Sequence, residues 1–163
     1  MEQKKLTISV SLDIYEEDEL PRSIALLYQK AVAALDDAYA PYSKFKVAAA
    51  VLLENGEILT GTNQENAAYP AGICAEGTVM SACAALYPNV RPKAMFITVA
   101  SEHKIESKVV APCGICRQRL LESEMRYGAP LELWLGLPGQ KIYQSDSISN
   151  ILPLAFTADD LAS

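Results

Sequence analysis

Two dense apolar runs, Phe45 to Leu53 and Ile58 to Thr62, flank Asn55-Gly56, and this pattern restricts the fold more than any other stretch of the chain. Asn-Gly between strands is a strong hairpin signal, because both central positions of the favoured two-residue turn need positive φ. The runs therefore predict two antiparallel neighbours. Before them, Ile24, Leu27, Val32, Leu35 and Tyr39 recur at helical intervals, predicting a helix from about Leu20 to Ala40. The acidic run Glu16-Glu17-Asp18-Glu19 and Pro21 suit its start, and Pro41-Tyr42-Ser43 ends it. After an irregular loop from Asn63 to Ile73, helical patterns span Cys74 to Leu86 and Cys113 to Tyr127, the second closed by Gly128. Strand patterns cover Ala94 to Ala100 and Leu131 to Leu135. A turn at Pro138-Gly139 leads to Lys141-Ile142-Tyr143, and a short helix is expected from Ser147 to Leu152. Strands separated by helices imply an α/β fold whose mixed sheet, of about five strands, has helices on both faces. Leu6, Ile8, Val10, Leu12 and Ile14 alternate with polar residues, so residues 1–20 read as an N-terminal strand or arm ahead of one domain, 21–163.

With 163 residues, half of them apolar, the chain can bury one real core. Twenty acidic residues against 14 basic ones, a net charge of -6, give no broad electropositive face for a phosphate backbone, so no nucleic-acid partner is expected. No apolar run reaches membrane-spanning length, so no membrane partner is expected either. Met1-Glu2-Gln3-Lys4-Lys5 leads into alternation rather than a signal core, which predicts a cytoplasmic protein. In that reducing setting its four cysteines read as thiols or metal ligands. The single histidine, His103, lies in the polar stretch Ser101 to Glu106 and reads as a surface residue, not the base of a hydrolase triad.

Cys113 and Cys116 form a Cys-x-x-Cys pair. Alone, that spacing fits a zinc site, a redox dithiol or two packed thiols. Cys74 and Cys113, however, both fall where a helix is expected to begin, and free amides and the dipole stabilise thiolate there. Cys83 is excluded from the same site: nine residues past Cys74 it is half a turn out of phase and roughly 13 Å away along a helix. It reads as a small core residue. Three sulfurs, from Cys74, Cys113 and Cys116, leave a fourth zinc position open, as catalytic zinc requires. Glu76, two residues beyond Cys74, is placed to exchange protons with a water held there, although a carboxylate also suits a first helical turn without any such role.

Cys74-Ala75-Glu76 and Pro112-Cys113-Gly114-Ile115-Cys116-Arg117-Gln118 resemble the cytidine deaminase family in its small homotetrameric form with three cysteine ligands. The likeness runs from Pro41 to Phe156 and includes Pro41-Tyr42-Ser43-Lys44-Phe45-Lys46-Val47, the block Gly61 to Tyr69, and Leu152-Pro153-Leu154-Ala155-Phe156. It implies the three-layer fold of that family, and zinc on Cys74, Cys113 and Cys116 activating water against C4 of cytosine. Glu76 would carry protons to N3 and to the departing amine. It further implies that Asn63 and Glu65 hold the ribose hydroxyls, that Phe45 packs on the pyrimidine, and that Phe156 reaches a neighbouring subunit's site in a homotetramer. The implied substrates are cytidine and 2'-deoxycytidine, in pyrimidine salvage; the alternatives are another amino-pyrimidine nucleoside or a low-activity homologue that zinc merely stabilises. The chain departs from the family where arginine usually follows Cys-Ala-Glu, since Gly77 stands there, and Ala48 replaces a frequent glycine. Arg117 or another cation is then expected to offset the charge of the three thiolates.

Overall fold

The computed structural model describes residues 4–107 and 109–161. Met1 to Gln3, where the N-terminal arm was expected to begin, lie outside the described residues. Among the described residues six strands form one sheet: β1 (Asp13–Tyr15), β2 (Phe45–Leu53), β3 (Ile58–Thr62), β4 (Pro92–Ser101), β5 (Glu132–Gly136) and β6 (Ile142–Ser145). Their order is β1-β6-β5-β4-β2-β3. Only β4 and β5 run parallel; every other pair is antiparallel. The helices are α1 (Arg22–Ala34), α2 (Ala75–Leu86), α3 (Gly114–Tyr127) and the single turn α4 (Ile148–Ile151).

Successive side chains of a strand point to opposite faces, and the core divides accordingly. Ala49, Val51 and Leu53 of β2, Met95 and Ile97 of β4, and Leu133 and Leu135 of β5 pack with α2, α3 and α4. Ala50, Ala94, Phe96 and Trp134, in alternate register, pack with Ile24, Leu27, Tyr28 and Ala31 of α1. Helices thus cover both faces and make three layers, as expected. Cys83 lies in the first of these cores, and burial pushes its thiol up to about 11, so it is an inert packing residue.

Four local readings need correction. The hairpin β2–β3 turns through Glu54-Asn55-Gly56, and only Gly56 has positive φ (88°). Leu53 donates to the Glu57 carbonyl at 2.8 Å and Asn55 Oδ1 accepts from Glu57 N, so the loop is a three-residue type with glycine in the left-handed position. Second, α1 stops at Ala34, followed by one tighter turn over Leu35–Asp37, and Tyr39 is exposed rather than helical. Asp36 and Asp37 fall at the negative end of the helix dipole, which disfavours continuation. Third, the N-terminal alternation yields only three strand residues, with Leu6, Ile8, Val10 and Ile14 exposed. The ladder can be no longer than its partner, and β6 offers four residues. Last, β1 and β6 bring the strand count to six rather than about five.

Candidate active site

Both cysteine segments sit where sequence placed them. Cys74 is the N-cap of α2, its Sγ accepting from Gly77 N at 3.3 Å, and Cys113 is the N-cap of α3. The sulfur of Cys74 accepts an orphan amide of the first turn as a cap oxygen would, whereas the Cys113 side chain makes no cap hydrogen bond. The Sγ atoms of Cys74 and Cys116 approach to 2.8 Å across the two helices. Glu76, buried in the first turn of α2, joins them: one ligand atom from each of Cys74, Glu76 and Cys116 lies within 4.8 Å of the others. Cys113 is exposed and outside that group, though its charge still bears on Cys116.

The sulfur pair is electrically asymmetric. The Cys116 thiol hydrogen-bonds to Cys74 and brings Cys74 down to about 7, assisted by the Gly77 amide and the Arg119 guanidinium and opposed by burial and Glu76. That same hydrogen bond, with burial and the negative charge of Glu76, holds Cys116 above the ordinary thiol range. The two sulfurs share one short hydrogen bond, in which either can be the donor. Soft, clustered sulfurs at two helix starts, one already ionised near neutrality, form a donor set that fits zinc.

The loop from Asn63 to Ile73 is pinched at its base. Gln64 and Ile73 exchange backbone hydrogen bonds at 2.9 and 3.0 Å, and Tyr39 bonds to Asn63 and Glu65 on the other side. This ties the loop to the start of α2 and hence to Cys74. A cavity of about 440 Å³ results, lined by Tyr42, Ser43, Asn63, Glu65, Tyr69 and Ile73. Glu65 Oε2 accepts from the Tyr42 and Ser43 amides at 2.9 and 3.2 Å. The Ser43 hydroxyl, then those amides and Lys44, hold its carboxyl below the usual range, so it is an ionised acceptor. Asn63 is more committed than sequence suggested: Oδ1 accepts from Val47 N at 2.8 Å and Nδ2 donates to the Phe45 carbonyl at 2.9 Å. Its second N–H and the second lone pair of Oδ1 are left for a ligand. Asn63→Ala should consequently cost about 1–2 kcal/mol of stability, because it orphans two backbone groups of β2. Urea denaturation would detect it, and an unchanged midpoint would show that the amide is not a brace.

Phe45 opens β2 and lines a neighbouring depression with Ser43, Ser101 and His103. His103 is exposed, in keeping with its reading as a surface residue. Phe156 is 57 % exposed, its carbonyl held by Gln118 Nε2 at 2.7 Å, and it lines none of these cavities. Arg117 is not the compensating cation: its guanidinium donates to the Pro112 and Ile151 carbonyls. The cation at the sulfurs is Arg119, whose Nη1 donates to Cys74 Sγ at 3.7 Å. Sequence reasoning missed it, although its spacing of three from Cys116 puts both on one face of α3.

A three-layer α/β domain with two cysteine-capped helices converging on a buried glutamate has the organisation of a deaminase. The family model for the cytidine and deoxycytidylate deaminase zinc-binding region matches residues 21–127. A cytidine deaminase of Halalkalibacterium halodurans is 37% identical over 137 residues, 83% of this chain and 96% of that protein. One from Mycobacterium tuberculosis is 34% identical over 139 residues, 83% of this chain and 91% of the relative. The crystal structure of cytidine deaminase from Burkholderia pseudomallei superposes with a TM-score of 0.66 at 34% identity, over 80% of this chain and 97% of that one. The chain belongs to the cytidine deaminase family.

Proposed function

We propose that the protein catalyses hydrolytic deamination of cytidine and 2'-deoxycytidine to uridine and deoxyuridine with release of ammonia, in pyrimidine salvage. The observation that carries this is the meeting of Cys74, Cys116 and Glu76 within 4.8 Å beside the cavity of Asn63 and Glu65. Cys74, Cys113 and Cys116 would hold zinc, Cys113 being one turn ahead of Cys116 on the same helix start. Bound there, zinc would supply Lewis acidity and bring a water's pKa toward neutrality.

The protein's own groups do the rest. Glu76, buried and beside the sulfurs, takes a proton from the attacking water and returns protons to N3 and the leaving amine, which is general acid/base catalysis without histidine. Ionised Glu65 accepts from a ribose hydroxyl, and the free N–H of Asn63 donates to one. Phe45 packs on the pyrimidine. In this reading residues 21–163 form the catalytic domain and 1–20 the arm that contains β1. No helix among the described residues is long and apolar enough to cross a membrane, which is compatible with work in the cytoplasm. Exposed Leu154 and Phe156, anchored through Gln118, suit a tail that enters the site of a neighbouring subunit in a homotetramer.

The test is a deamination assay with zinc quantified on the same sample. Conversion of either nucleoside to its uracil product, with stoichiometric ammonia, is the expected result. Fully zinc-loaded protein that converts neither would overturn it.

A further inference from the structure

Gly77 is an anomaly of the sequence: glycine within the first turn of a helix spends conformational entropy that alanine would save. The structure supplies a reason. A Cβ built on Gly77 would collide with Nη1 of Arg119 and lie 3.1 Å from Cys74 Sγ. The guanidinium, reaching over from α3, occupies the side-chain space of position 77. From there it donates to Cys74 Sγ at 3.7 Å. Among the described residues the Arg119 guanidinium forms no ion pair with a carboxylate and no hydrogen bond other than this one. It stands three residues after Cys116, so one helix face delivers both a sulfur and the cation that touches the opposite sulfur.

We propose that Arg119 is a positioning residue for the sulfur site, and that Gly77 is glycine to admit it. The guanidinium fixes the side-chain direction of Cys74 and offsets part of the negative charge gathered by the cysteines and Glu76. The two positions form one device shared between α2 and α3. This rests on the reading that the cysteines hold zinc.

Such outer partners orient a ligand and tune the metal, and losing one typically costs 10–100-fold in metal affinity or activity. The experiment measures the rate at which zinc-loaded protein surrenders its metal to a chromophoric chelator. Arg119 is exposed, so Arg119→Gln should fold normally, with an unchanged circular dichroism spectrum. It is expected to lose zinc about tenfold faster than the parent, with Arg119→Lys falling between. Gly77→Ala, which places a methyl against the guanidinium, should also speed metal loss in the parent. In the Arg119→Gln background the same substitution should have a smaller effect, that of the methyl against Cys74 Sγ alone. Parent-like zinc loss by Arg119→Gln, or additive effects of the two substitutions, would overturn the proposal. A parent protein that binds no zinc would sink the metal-site reading itself, whereas a zinc-bound parent indifferent to Arg119→Gln sinks only this inference.

Discussion

Glu76→Gln is expected to lower turnover of cytidine by 10²- to 10⁴-fold while bound zinc is retained, the range for loss of a positioned proton carrier. This corresponds to about 3–5 kcal/mol of transition-state stabilisation. Glutamine preserves volume and hydrogen-bonding reach within the first turn of α2, so the buried packing around position 76 is kept. It cannot accept a proton. The reading requires kcat to fall much further than KM rises, because the group acts on protons in flight rather than on ground-state binding. Turnover within tenfold of the parent at equal zinc content would remove Glu76 from the proton path.

The second large effect concerns stability. Glu124, 7 % exposed near the end of α3, accepts from Leu131 N at 2.8 Å, Ile148 N at 2.7 Å, Ser149 N at 3.2 Å and Ser149 Oγ at 2.8 Å. One carboxylate thus ties the lead into β5 and the start of α4 to α3. Single-turn α4 has little stability of its own, so its free amides depend on this acceptor. Glu124→Ala leaves the Leu131 and Ile148 amides buried without partners at about 1–3 kcal/mol each, while water can reach exposed Ser149, and an overall loss of about 3–5 kcal/mol is expected. Against a usual domain stability of about 5–15 kcal/mol that is severe. Chemical denaturation of the two proteins measures it, and a loss below about 1 kcal/mol would show that solvent replaces the carboxylate without penalty.

Much of this molecule is legible in one sequence, and the parts that are not share a cause. The division of β2, β4 and β5 into two core faces follows from alternation within buried runs, and the helix starts at Cys74 and Cys113 follow from capping. Both are local. The end of α1 was misplaced because Tyr39 continues the helical period, while its backbone is claimed by residues 63–65, a pairing no local pattern announces. Ile8 and Val10 alternate like strand residues, yet strand length was decided by β6, more than a hundred residues away. At the site, cysteine spacing pointed to Cys74, Cys116 and Glu76, which the fold brings together, and to Cys113, which stands outside that group. It could not show that Asn63 spends its carbonyl and one N–H on β2, nor that the cation comes from Arg119 rather than adjacent Arg117. Those facts depend on which helix faces which.

The pairing of β1 with β6 has a consequence for synthesis. Within the described sheet Asp13–Tyr15 is made before any other strand and Ile142–Ser145 after the rest, and Asn150 Nδ2 reaches back to the Ser11 carbonyl at 2.8 Å across the same seam. On a ribosome β1 therefore waits, unpaired, until residues 142–145 have emerged, while the hairpin β2–β3 can close at once. Until β1 docks on it, β6 presents an open edge to any other strand in reach, so the segment read from sequence as a strand or arm serves as the lid on a late-closing border of the sheet.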